Sequence, residues 1–137
     1  MFVGSEGTLG IITEVTLRVY GIPEAVSAAV CGFDSMEGAV RAVITTMQLG
    51  IPVARIELLD ENQIEACNRY SKLSYPVKPT LMFEFHGTST AGVSENATAV
   101  QEIVAEHGGS GFEWATTQED RARLWRARHD TLWAALA

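Results

Sequence analysis

Between Ile11 and Val19 the chain alternates with a period of two. Ile11, Thr13, Val15, Leu17 and Val19 fall on one face, and Ile12, Glu14, Thr16 and Arg18 on the other. That rhythm predicts a strand with one wet face. Gly21-Ile22-Pro23-Glu24 interrupts it and marks a candidate domain junction, dividing 1–22 from 23–137. Strands and helices then alternate. Ala25–Phe33, rich in Val and Ala, reads as a strand. Asp34, with Glu37 three residues on, predicts the cap of a helix whose stripe is Met36, Val40, Val43, Ile44 and Met47. Gly50 and Pro52 end it, and Val53–Leu59 is the next strand.

Asp60 predicts the cap of a shorter helix to about Tyr70, with Ile64 and Cys67 one turn apart. After a loop with two prolines, Thr80–Gly87 reads as a strand with Leu81, Phe83 and Phe85 on one face. A helix follows over Thr90–His107, striped by Val93, Ala97, Val100, Ile103 and Val104 and closed by Gly108-Gly109. Gly111–Thr116 is the last strand. Thr117 and Asp120 then start a helix that runs to the chain's end. Without the first strand, two βαβ units remain. Their order predicts an α+β, ferredoxin-like sandwich: a four-stranded antiparallel sheet with helices on one face. The first strand has no partner for its ladder groups, and the final helical pattern has no cap, so the chain reads as an excerpt of a longer protein.

With 47% hydrophobic and 20% charged residues, the chain has the composition of a soluble globular domain. A net charge of −7 argues against a nucleic-acid binder, which needs clustered Lys and Arg. It also means that any anionic ligand must be held by a local cation. No apolar run approaches the ~18 residues of a membrane span. Cys31 and Cys67 read as small core hydrophobes. His86, His107 and His129 are isolated, and no Cys/His cluster has zinc spacing, so no metal ligands are assigned.

Two motifs are candidates for chemistry. Gly4-Ser5-Glu6-Gly7-Thr8-Leu9-Gly10 can turn with positive φ and let a ligand approach its backbone closely. Spacing alone leaves this turn open between a ligand loop and a plain glycine-rich turn, because a strand rather than a helix follows. In the last helix, Arg121, Trp125, Arg128 and Leu132 share a face by three- and four-residue steps. A guanidinium at Arg128 then needs a partner. A substrate carboxylate held by its fork would serve, and so would an acidic residue of the chain.

Val3-Gly4-Ser5-Glu6-Gly7-Thr8-Leu9-Gly10-Ile11-Ile12-Thr13-Glu14-Val15-Thr16-Leu17 resembles the signature that ends the FAD-binding domain of vanillyl-alcohol-oxidase type flavoproteins. More narrowly it resembles the FAD-linked oxidase branch containing the D-lactate, glycolate and D-2-hydroxyglutarate enzymes. Glu57-Leu58-Leu59-Asp60, Phe83-Glu84-Phe85-His86-Gly87 and Leu124-Trp125-Arg126-Ala127-Arg128-His129 support that branch. The resemblance covers essentially the whole chain. It implies that residues 1–22 end an FAD-binding domain and that 23–137 form a substrate-binding cap truncated at its C-terminus.

It further implies that Gly4, Ser5, Glu6, Gly7, Gly10, Ile11 and Ile12 line the FAD, and that Arg128 binds the carboxylate of a small 2-hydroxy acid. The implied reaction passes hydride to the flavin, with D-lactate the expected substrate. Glycolate and D-2-hydroxyglutarate are the alternatives. The catalytic base, and a divalent metal, are expected on residues outside this chain, so the isolated chain is expected to be inactive. Leu132 stands where the hydroxyglutarate enzymes carry a threonine, which favours a smaller acid. Implied partners are the rest of the FAD-binding domain, an electron acceptor of unassigned type and a second copy in a homodimer. The implied compartment is cytoplasmic in a bacterium and mitochondrial in a eukaryote. The rival reading is a non-enzymatic ferredoxin-like module for dimerisation or ligand sensing.

Overall fold

Small side chains on one central strand sit opposite large ones on its neighbour, and this pairing organises the core. A computed structural model describes all 137 residues. It contains β1 (Ala25–Phe33), α1 (Met36–Gln48), β2 (Arg55–Leu59), α2 (Glu61–Ser71), β3 (Thr80–Gly87), α3 (Thr90–Glu106), β4 (Gly109–Ala115), α4 (Gln118–His129) and α5 (Thr131–Leu136). The four strands form one antiparallel sheet in the order β2-β3-β1-β4. Ser27, Ala29 and Cys31 of β1 lie opposite Phe85, Phe83 and Leu81 of β3. The expected four-stranded antiparallel α+β sheet is therefore present.

The helices cover both faces of that sheet, not one. α1 and α3 bury Ala39, Ala42, Val93, Ala97, Val100 and Val104 on the face that carries Phe33, Phe83 and Phe85. The opposite face, bearing Ala28, Val30, Leu59 and Met82, is closed by Ile64 of α2 and by Leu124 and Trp125 of α4. The physical reason lies in β1, where residues 27–31 are buried without a break. A strand apolar on both sides needs two covers. Burial pushes the Cys31 thiol up to about 11, despite its bond to the Ser110 carbonyl, so this cysteine is an inert core residue.

Local expectations hold in part. Asp60 caps α2, accepting from the Gln63 amide at 2.7 Å. Thr117 caps α4 through the Asp120 amide at 3.2 Å. α1, however, is capped by Ser35, which accepts from Gly38 N at 3.1 Å. Asp34 is drawn instead to Lys78 at 2.7 Å. α1 also presents a different face to the core: Gly38, Ala39, Ala42 and Thr46 are buried, whereas Met36, Val40, Ile44 and Met47 are 38–63% exposed. Small residues win because α1 lies close to the end of α3. A Cβ on Gly38 would stand 2.3 Å from the His107 carbonyl oxygen.

Residues 11–19 form no strand, since no other strand of the chain pairs with them. Ile11, Val15, Leu17 and Val19 are 64–90% exposed. The last helix breaks at Asp130 into α4 and α5. There the Thr131 hydroxyl donates to the Arg128 carbonyl at 2.9 Å, and the Thr131 carbonyl accepts from Gln63 Nε2 at 3.1 Å. Side-chain bonds of this kind compete with the regular ladder. β4 begins at Gly109, two residues earlier than its sequence pattern suggests.

Candidate functional site

β2 and α4 meet on the second face of the sheet. Alternation along β2 points Arg55, Glu57 and Leu59 to that side, where Leu59 is buried with Trp125. Two residues along a strand and one turn of helix cover similar distances, on the order of 5–7 Å, so successive side chains can pair across the gap. Arg55 stacks over the Trp125 ring with its guanidinium carbon 4.0 Å from the centroid. One turn later, Arg128 Nε forms an ion pair with Glu57 Oε2 at 3.1 Å. Arg128 Nη1 also donates to the Thr131 hydroxyl at 3.3 Å, leaving Nη2 without a partner in the chain.

Around this guanidinium lies an open cleft of about 450 Å3. Arg128 and Thr131 form one wall, and Glu57, Asp60 and Gln63 the other, with Met36 at its rim. Gln63 ties the walls together through its bond to the Thr131 carbonyl. Arg128 is half-buried, with 41% of its side chain exposed, and Glu57 is similar at 34%. One cation therefore faces two carboxylates at the mouth of this cleft. Leu132, expected beside Arg128, is 61% exposed and does not line the cleft, because the break at Asp130 turns it away. The hydroxyl that reaches Arg128 belongs to Thr131.

Glu57, Asp60, Gln63 and Thr131 were not singled out as site residues by the sequence. The available signal was the alternation of β2, which sets Glu57 on the same face as Arg55 and Leu59. Nothing in sequence spacing brings that face to Arg128. His129 is exposed, and His86 pairs with Glu84 at 2.7 Å, away from the cleft. No group of three His, Cys, Asp or Glu side chains is arranged to hold a metal ion.

Glu84 joins Arg55 at 2.6 Å and His86 in a small network beside Trp125. Burial raises its carboxyl, but hydrogen bonds and charge from Arg55 and His86 outweigh this and hold it below the usual carboxylate range. A depressed folded-state value adds stability above the unfolded value and loses it as pH falls through the folded one. Glu84→Gln is therefore expected to flatten the fall in stability on acidification, read from unfolding midpoints at several acidic pH values. An unchanged slope would count against this network.

The glycine turn is a second, separate feature. Gly4, Gly7 and Gly10 take φ of 80°, 83° and 150°, and Glu6 takes 48°. The turn closes on itself through Ser5 N to Phe2 O at 3.2 Å and Thr8 N to Ser5 O at 2.9 Å. The Thr8 hydroxyl also donates to Ser5 O, at 2.7 Å. The amides of Glu6, Gly7 and Gly10 remain unpartnered, and no heavy atom lies within 4 Å of a Cβ built on Gly4 or Gly7. Gly10, Ile11 and Ile12 border a shallow concavity of about 410 Å3 with Phe2, Thr13 and Glu14. A string of open amides at positive φ fits an anionic or polar group such as the pyrophosphate of FAD. This concavity and the Arg128 cleft share no residue.

Residues 22–137 match the profile of the FAD linked oxidases, C-terminal domain. The chain belongs to this family. Among relatives of this FAD-linked oxidase domain, the probable mitochondrial D-lactate dehydrogenase of Danio rerio is 53% identical over 137 residues, covering the whole chain and 27% of that protein. The mitochondrial D-lactate dehydrogenase [cytochrome] of Arabidopsis thaliana is 46% identical over the whole chain and 24% of its own length. Glycolate oxidase subunit GlcD of Escherichia coli (strain K12) is 32% identical over 93% of the chain and 26% of that subunit. The chain thus spans about a quarter of the curated relatives it matches. Among solved structures, alkyldihydroxyacetonephosphate synthase in its P1 crystal form superposes with a TM-score of 0.59 at 24% identity. That match covers 94% of this chain and 28% of the synthase, and the likeness is one of fold. No helix of the FAD-linked oxidase domain is long and apolar enough to cross a membrane.

Proposed function

We propose that the whole protein is an FAD-dependent D-2-hydroxy-acid dehydrogenase acting on D-lactate, and that this chain supplies its substrate-binding cap together with the end of its flavin cradle. The observation that carries the reading is Arg128, half-buried in an open cleft of a domain whose relatives are named D-lactate dehydrogenases. Residues 1–22 would close the FAD-binding domain, and the family match beginning at residue 22 supports that division. The mitochondrial names of the animal and plant relatives support a mitochondrial enzyme if the source is eukaryotic.

Each part of the chain has a defined task. Backbone amides at Glu6, Gly7 and Gly10, with Gly4 and Ser5 shaping the turn, would hold the cofactor's polar groups, and Ile11 and Ile12 would pack beside it. Arg128 would take the substrate carboxylate on its Nη edge, while Glu57 and Thr131 fix the guanidinium from its other side. Fixing one end of a small acid orients C2, and pre-oriented reactants can lower a barrier by up to about 7–11 kcal/mol. When bound, FAD accepts the hydride. The base that removes the hydroxyl proton, any metal and the electron acceptor would lie outside this chain.

The test uses full-length protein. It should purify yellow, and anaerobic D-lactate should bleach the flavin faster than glycolate or D-2-hydroxyglutarate. A colourless protein with no flavin released on denaturation refutes the reading. Faster bleaching by glycolate reassigns the substrate.

A further inference from the structure

The geometry points to Glu57 as a specificity-determining residue: its carboxylate, with that of Asp60, makes the Arg128 cleft reject acids that carry a second carboxylate. This rests on the reading of Arg128 as the substrate anchor, and it concerns which acids that anchor admits.

Size alone cannot make the choice. The cleft measures about 450 Å3, far more than a three-carbon acid needs, so this wall of the site leaves room for longer substrates. Charge can. The lining holds one guanidinium and two carboxylates, a formal sum of −1, and no lysine or second arginine. Arg128 is already paired at Nε with Glu57 and at Nη1 with Thr131. Its one unclaimed nitrogen, Nη2, can complete a single fork with Nη1 and therefore serves one carboxylate. A second carboxylate in the same cleft would find no cation of its own on this chain. It would face Glu57 Oε2, itself 3.1 Å from the anchor, and Asp60 at the end of β2. Like charges set against each other are an efficient way to exclude a wrong partner. An uncharged chain of the same length meets no such penalty.

The experiment compares kcat/KM of full-length protein for three acids. They are D-lactate, D-malate (D-lactate with a carboxylate on its methyl carbon) and D-2-hydroxyvalerate as an uncharged control of similar length. Wild type should prefer D-2-hydroxyvalerate to D-malate. Glu57→Gln keeps an oxygen that can accept from Arg128 Nε and removes only the charge. It should raise the D-malate to D-lactate ratio roughly tenfold while leaving the D-2-hydroxyvalerate to D-lactate ratio within about twofold. Asp60→Asn, which still caps α2, should add to the shift.

A second measurement needs no variant. The cleft is open to solvent, so wild-type discrimination against D-malate should shrink as ionic strength rises. Unchanged ratios in both variants, or discrimination indifferent to salt, overturn the role of Glu57. Arg128→Ala separates the two claims. If it raises KM while the ratios stay fixed in the acidic variants, the anchor stands and the selectivity proposal falls. If it leaves KM unchanged, the anchor itself is lost.

Discussion

Replacing Arg128 with alanine is expected to raise the KM of the full-length flavoprotein for D-lactate about 10- to 150-fold, the equivalent of about 1.5–3 kcal/mol for a hydrogen bond to a charged group. kcat should fall too, because the same grip that binds the acid also orients C2. Stability should change little. The Glu57 ion pair lost with Arg128 is 34–41% exposed at its two side chains, and pairs of that kind contribute at most about 1 kcal/mol. Arg128→Lys should restore only part of the loss, since an ammonium supplies the charge without the planar fork. Steady-state kinetics on protein loaded with flavin will read the effect. A KM within twofold of wild type for Arg128→Ala would mean that the ion pair with Glu57 is the whole purpose of this arginine.

The largest effect expected on folding comes from a single methyl group. Alanine normally exceeds glycine inside a helix by about 1 kcal/mol. At Gly38 the sign should reverse. The added Cβ would lie 2.3 Å from the His107 carbonyl oxygen, a backbone atom that cannot rotate away. α1 must then lift from the end of α3, straining the contact between Thr45 Oγ1 and His107 Nε2 at 3.0 Å and the packing of Ala39 and Ala42. Overpacking of this kind costs about 1–3 kcal/mol net, read as a lower denaturation midpoint. Gly92 of α3 is the control, since a Cβ there meets only the Ser89 hydroxyl at 3.4 Å. Gly92→Ala should be neutral or mildly stabilising. Equal effects at the two glycines would contradict the close approach of α1 to α3.

Much of the architecture was legible in the order of residues, and the exceptions share a cause. β3 and α3 were readable because the apolar stripes their sequences show, Leu81, Phe83 and Phe85 in one and Val93, Ala97, Val100, Ile103 and Val104 in the other, are buried. α1 misled because its largest apolar side chains are not the ones that touch the core. Periodicity weighs hydrophobicity, whereas contact with α3 selects for small volume at Gly38, Ala39 and Ala42. The covered second face was hidden in β1, whose unbroken apolar run fits a strand between two layers but does not name what lies on either side. Residues 11–19 carry the rhythm of a strand without a neighbour to pair with, and rhythm alone makes no ladder. The candidate site was half legible. Arg128 stood out because a guanidinium on a face with Trp125 demands a partner. Glu57 and Thr131 did not, because one arrives from a strand some seventy residues earlier in the sequence and the other from a break that no glycine or proline announces.

Because β1 is apolar toward both layers, its inside-outside pattern cannot by itself fix how it is threaded. Sliding it by one position would exchange Ala28 and Val30 for Ala29 and Cys31 and expose nothing. Alignment must instead be enforced by volume. Ser27, Ala29 and Cys31 leave room for Phe85, Phe83 and Leu81 across the ladder. In such a sheet an enlarged side chain on β1 threatens the threading of the whole domain, where elsewhere it would only crowd its neighbours.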